Sequence, residues 1–133
     1  MNTEKLENLI SDYIEEANSV IKNQKPLAGV FGFKDSIRTD SCHAKFYDDL
    51  SRELAEGSYD PYEASKFLIF ADSKYECPKS VKMMLTAIQG LAIPLVPSLT
   101  DEQKAELRDY FDKNIKKHTR LPVQDQLYKA LKK

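Results

Sequence analysis

A chain of 133 residues that is 41% hydrophobic, with 13 Phe and Tyr, can close a core without metal or disulfides, which excludes wholesale disorder. Its formal net charge of −1 gives no global pull toward nucleic acid or an anionic membrane. The charge is nevertheless uneven: residues 1–65 sum to −6 and residues 66–133 to +5, so the halves either fold against each other or leave a basic binding face.

The start, MNTEKLENLISDY, is polar and acidic, without the basic end and apolar block of a secretory signal. Two cysteines, Cys42 and Cys77, are too few for a disulfide framework in a chain of this length. The expectation is a soluble cytosolic protein with reduced thiols.

Helical periodicity begins at once. From about Thr3 to Asn23, Leu6, Leu9, Ile10, Tyr13, Ile14, Ala17, Val20 and Ile21 recur at three- and four-residue steps and share one face. Glu4, Glu7, Asp12, Glu15 and Glu16 fill the other face, and the early acids suit the positive end of the helix dipole. Residues 24–40, QKPLAGVFGFKDSIRTD, are punctuated by Pro26, Gly29 and Gly32 and read as a long irregular loop. A solvated linker would not need its Leu27, Val30, Phe31, Phe33 and Ile37. Phe31 and Phe33 are therefore candidate binding residues, against the alternative that they tuck into the core.

A second helix is expected over Ser41–Glu56, with Phe46, Tyr47, Leu50 and Leu54 inward and Gly57 as its stop. Asp60-Pro61-Tyr62-Glu63 is the clearest start signal: an N-cap, a proline at the first helical position and an acid three residues on. Ala64, Phe67, Leu68 and Ala71 follow at helical spacing.

The run from Val81 to Leu99 holds one charge, Lys82. Gly90, Pro94 and Pro97 break it too early for a membrane span. It reads as a central buried helix over about 78–92, apolar all round, that ends or kinks near Pro94. Thr100 to Gln103 forms a capping-box pattern for a helix to about Lys117, with Leu107, Tyr110, Phe111 and Ile115 inward. Pro122 opens a short last helix with Val123, Leu127 and Leu131 inward. No segment alternates with period two, so the expected fold is all-α: a single domain of five to six helices over residues 1–133.

The chemical inventory is thin. Cys42, His43, Cys77 and His118 are the only soft metal ligands, and their steps of 1, 34 and 41 residues match no zinc template. Cys42 near a helix start has the setting of an activated thiol, but His43 beside it in sequence does not share its helical face. The adjacent acids Glu15-Glu16 and Asp48-Asp49 diverge around their helices and read as solvated surface. Gly29-Val30-Phe31-Gly32 lacks the Lys-Ser/Thr ending of a phosphate loop. The basic run Lys113–Arg120 either compensates a helix C-terminus or forms a phosphate- or acid-binding patch.

These residues favour a non-enzymatic helical interaction or regulatory protein, of adaptor or inhibitor type, over an enzyme. The alternative is a small-ligand-binding helical domain with a cavity between Met83, Met84, Pro94 and the 27–37 segment. No cofactor and no metal are expected. The expected partner is another protein, with no membrane, no nucleic acid, and a homodimer allowed by Tyr59, Tyr62 and Tyr75.

Overall fold

The computed structural model describes the backbone of residues 3–22 and 28–133 and the side chains of residues 3–20 and 41–133. Over those residues the fold is all-α. Six α-helices and two 3₁₀ segments follow one another, with no strand among the described residues. They are α1 (Glu4–Lys22), α2 (Ala28–Glu56), α3 (Pro61–Lys74), α4 (Lys79–Ala87), the 3₁₀ segment η1 (Ile88–Ser98), α5 (Asp101–Asn114), η2 (Lys117–Thr119) and α6 (Pro122–Leu131).

Contacts group the chain into two units. The N-terminal unit holds Asn2–Gly57 and Glu76–Met84; the C-terminal unit holds Ser58–Tyr75 and Leu85–Lys133. The division falls inside α4.

In the N-terminal unit α1 packs along α2. The buried stripe of α1 is Leu6, Ile10, Tyr13, Ala17 and Val20, as its periodicity predicts. The stripe of α2 is Cys42, Phe46 and Leu50, one residue every helical turn. Tyr13 stacks flat on Phe46, with centroids 4.1 Å apart and planes 6° from parallel. Tyr47 and Leu54, expected inward, are respectively 37% exposed and half-buried.

The irregular loop expected over 24–40 is corrected by α2, which is helical from Ala28 onward. Residues 23–27 lie outside the described residues. A helical glycine costs about 1 kcal/mol relative to alanine, so Gly29 and Gly32 weaken a 29-residue helix without ending it. After Pro26 no proline interrupts α2, and Val30, Phe33 and Ile37 already keep helical spacing.

In the C-terminal unit η1 packs against both α3 and α6, and α6 packs on α5. Asp60 caps α3 by accepting from the Glu63 N–H at 3.0 Å, with Pro61 in the first turn. Thr100 and Gln103 form the full reciprocal capping box of α5, with bonds of 3.0 and 3.1 Å. At the start of α6 the Gln124 side chain accepts from the Leu121 N–H at 2.9 Å. Leu68, Ile69, Ile88, Leu107, Phe111, Leu127 and Leu131 are fully buried or nearly so.

The central run departs from expectation in its winding. The α-helix ends at Ala87, and residues 88–98 continue as 3₁₀ helix through Pro94 and Pro97. Proline's fixed φ near −65° suits this geometry, and its missing N–H removes a donor that an α-ladder would need. Val81, Leu85, Ile88, Ala92 and Val96 are buried along the run. It is not enclosed all round, because Met83 remains 60% exposed.

Inside this apolar run sits Gln89, with no solvent exposure. Its Nε2 donates to the Ile69 carbonyl and to Asp72 Oδ2, each at 3.1 Å. Thr86 donates to the same carboxylate oxygen at 3.2 Å. The buried polar group is thus hydrogen-bonded to α3, which fixes the rotation of η1 against it.

Candidate functional site

The N-terminal unit carries a groove along the α1–α2 seam, enclosing about 290 Å³. Lys5, Asn8, Leu9 and Asp12 line it from α1; Asp49, Arg52, Glu53 and Glu56 line it from α2. A smaller cleft of about 120 Å³ adjoins it, sharing Leu9, Asp12 and Asp49 and adding Glu16, Lys45, Cys42, Tyr13 and Phe46. Together the walls hold five carboxylates and three cations. Arg52 pairs with Asp49 at 3.7 Å. Of the adjacent acids, Asp49 turns into the groove and Asp48 stays on exposed surface.

In the wall of the second cleft, Tyr13 is the side chain on which three of the four soft ligands act. Tyr13 hydrogen-bonds His43 Nδ1, with the rings edge to face at 5.6 Å, and both Cys42 and Cys77 act electrostatically on it. Burial first, and then the two thiols, hold the Tyr13 phenol well above its ordinary range, so it keeps its proton at neutral pH. Burial also pushes up the Cys42 thiol, helped by the charge of Glu16 and a hydrogen bond to it and opposed by Lys45. Burial likewise raises Cys77, against the opposing charge of Lys82. A thiol held in this way presents little thiolate at neutral pH, the reverse of an activated nucleophile. His118 is exposed on η2, in the C-terminal unit. Among the described residues no three His, Cys, Asp or Glu side chains are grouped so as to hold a metal ion.

The C-terminal unit carries a cleft of opposite character, enclosing about 360 Å³ between the end of α5, η2 and α6. Lys117, Arg120, Lys129 and Lys132 line it, with Asp112, Asp125 and Tyr128. The chain reverses after Ile115, so the basic run does not simply close α5 as the sequence suggests. Arg120 turns back instead: its Nε donates to the Ile115 carbonyl at 3.2 Å and its Nη2 to Asp112 at 3.3 Å. Its guanidinium lies 4.4 Å from the Tyr128 ring centroid and 5.7 Å from that of Phe111, and its side chain is only 4% exposed. The Tyr128 hydroxyl reaches both oxygens of Asp112, at 3.0 and 3.2 Å. That hydrogen bond raises the Tyr128 pKa, which nearby Arg120 and Arg108 partly offset. Lys132 Nζ sits 5.0 Å from the same Tyr128 ring centroid.

The candidate binding residues read from sequence fall on three elements. The side chains of Phe31 and Phe33 lie outside the described residues. Met83 is exposed and Met84 half-buried on α4, both in the N-terminal unit, while Pro94 is exposed on η1 in the C-terminal unit. None of these three clefts is lined by Met83, Met84 or Pro94. Tyr62, read as spare aromatic surface, donates its hydroxyl to Glu106 and so links α3 to α5.

Sequence reasoning missed Gln89, Tyr13 and Arg120. Gln89 was legible as the one polar side chain with hydrogen-bonding needs in the stretch Ile88–Val96. Tyr13 reads locally only as an inner-face position of α1 and Arg120 only as part of the basic run, because their partners lie on other elements. No family model, no curated protein and no solved structure matches this chain.

Proposed function

We propose that this chain is a non-enzymatic helical interaction protein of adaptor or inhibitor type, acting in the cytosol, whose α1–α2 groove receives a basic surface of a protein partner. The observation that carries the reading is the groove: five carboxylates against three cations, on two helices, flanking the half-buried Leu9. Charges around a contact set association rate and the sign of the partner, while the strip between them supplies contact area. The chemistry at Tyr13 supports the non-enzymatic part. The Cys42 and Cys77 thiols, both raised by burial, offer no ready nucleophile at neutral pH.

The test places a photo-cross-linking residue at Asn8, in the groove, and irradiates the full chain in native lysate. A basic protein should be captured, and the yield should fall in Asp12→Lys/Glu56→Lys and as salt rises. Capture no different from that of a cross-linker at Glu102, on exposed α5 surface, overturns the reading.

A further inference from the structure

We propose that the C-terminal cleft lined by Lys117, Arg120, Lys129 and Lys132 is a binding site for a small molecule bearing a terminal phosphate group. This site is independent of the acidic groove, and neither reading rests on the other.

The argument starts from which charges are already used. Asp112 accepts from Arg120 and from the Tyr128 hydroxyl, so its carboxylate is compensated inside the protein. Two of the three Arg120 guanidinium nitrogens are likewise engaged, Nε with the Ile115 carbonyl and Nη2 with Asp112, and the group's plane is held against two rings. What remains on the cleft walls is Lys117, Lys129 and Lys132 against Asp125, a net charge of +2. That excess matches a phosphate monoester, which is close to a dianion above its second pKa near 6. A concave site with one dominant sign of charge concentrates such an ion.

The type of cation selects the type of anion. A planar carboxylate is best met by the paired Nε and Nη2 edge of a guanidinium, and that edge of Arg120 is turned to Ile115 and Asp112. Separate ammonium groups are point charges that suit the three terminal oxygens of a phosphate, with no demand for planarity. Lys117 comes from η2, Lys129 from α6 and Lys132 from the C-cap of α6, so the charges approach from two sides. Arg120 acts as a positioning residue. By tying η2 to α5 and α6 it holds the wall from which Lys117 projects.

Size and stacking narrow the ligand. A volume of about 360 Å³ is at the small end of ligand pockets, enough for a phosphate and a compact body. Binding of single-stranded nucleic acid needs open aromatic faces for its bases. Here the Tyr128 ring is taken by Arg120 and Lys132, and Phe111 is buried under Arg120.

The test titrates the full-length, ¹⁵N-labelled chain with glycerol 3-phosphate, inorganic phosphate, sulfate, hexaglutamate, a short oligonucleotide, and phosphatidylcholine vesicles doped with phosphatidic acid. Saturable shifts confined to residues 112–133 are expected with glycerol 3-phosphate. Lys129→Gln and Lys132→Gln should each weaken binding about tenfold, the scale of one lost charge-assisted contact. Lys113→Gln, which removes the same charge outside the cleft, should leave it unchanged. Affinity for glycerol 3-phosphate should fall as pH drops below about 6, while the weaker affinity for sulfate should not. No saturable binding overturns the proposal. So does equal weakening by Lys113→Gln, or tighter binding of hexaglutamate, oligonucleotide or vesicles than of the soluble phosphates.

Discussion

Gly90 and Val123 meet where η1 crosses α6: a Cβ on Gly90 would lie 2.9 Å from Val123 Cγ2. The opposing atom belongs to a β-branched side chain with a stiff χ1, which cannot swing away cheaply. Gly90→Ala should therefore destabilise the protein by about 1–3 kcal/mol, despite alanine's better helix propensity. Val123→Ala should relieve the clash. Urea unfolding of both single variants and the double variant should give a cycle in which the double falls short of the sum by roughly 1 kcal/mol. Strict additivity would show that the backbone, not the contact, absorbs the change.

Gln89 gives a prediction with a pH signature. Its amide donates to Ile69 and Asp72, and its Oε1 has no hydrogen-bond partner among the described residues. Gln89→Glu puts a buried carboxylate against the carboxylate of Asp72. At pH 7 it should cost about 3–5 kcal/mol, the scale of an unpaired buried charge. Below about pH 4 the new acid is protonated and can donate again, so most of the loss should return. Gln89→Leu should cost about 1–3 kcal/mol with no such recovery. A pH series of urea melts separates the two.

Tyr62 donates to Glu106, and that hydrogen bond, then burial and the charges of Glu106 and Glu63, push its pKa up to about 12 from 10.0. The folded state thus holds the phenolic proton more tightly than the unfolded chain does. The stabilisation is complete below pH 10.0 and fades as pH rises toward 12. Wild type should melt above Tyr62→Phe at neutral pH, and the gap should close across that window. A gap that stays constant to pH 12 would remove the hydrogen bond as its source.

Neither Cys42, which is buried, nor Cys77, which is half-buried, is in a disulfide, and burial raises the pKa of both. Iodoacetamide at neutral pH should label both more slowly than an unstructured peptide thiol. In strong urea the rates should become equal to that of the peptide. Rapid native labelling of Cys42 would contradict the environment described and reopen thiol chemistry at this position.

Much of the fold was legible because its signals are local. The caps at Asp60 and Thr100 act over three residues, and the α1 stripe repeats within one helix. The start of α2 was missed because Gly29 and Gly32 read as punctuation, while helical spacing at Val30, Phe33 and Ile37 carried the stronger message. The sites were legible only as ingredients. The acids of α1 are plain in the sequence, but that Asp49, Glu53 and Glu56 of α2 share their groove depends on how two helices pack. Likewise Lys113–Arg120 reads as a basic run, whereas the return of Arg120 onto Tyr128 needs the chain reversal after Ile115.

The winding of η1 has a consequence for how the chain finds its fold. In an ideal 3₁₀ helix each residue turns the chain by about 120°, so Ile88, Ala92 and Val96 point in three directions. All three are buried, and the segment contacts α3 and α6 at once. Such a spindle gains little from any one neighbour until the others arrive. Pro94 and Pro97 reduce that burden, since their rings restrict φ before any contact forms and the unfolded chain has fewer shapes to give up. The two residues that look like breaks in the most apolar stretch of the sequence thus bias it in advance toward the shape it must adopt.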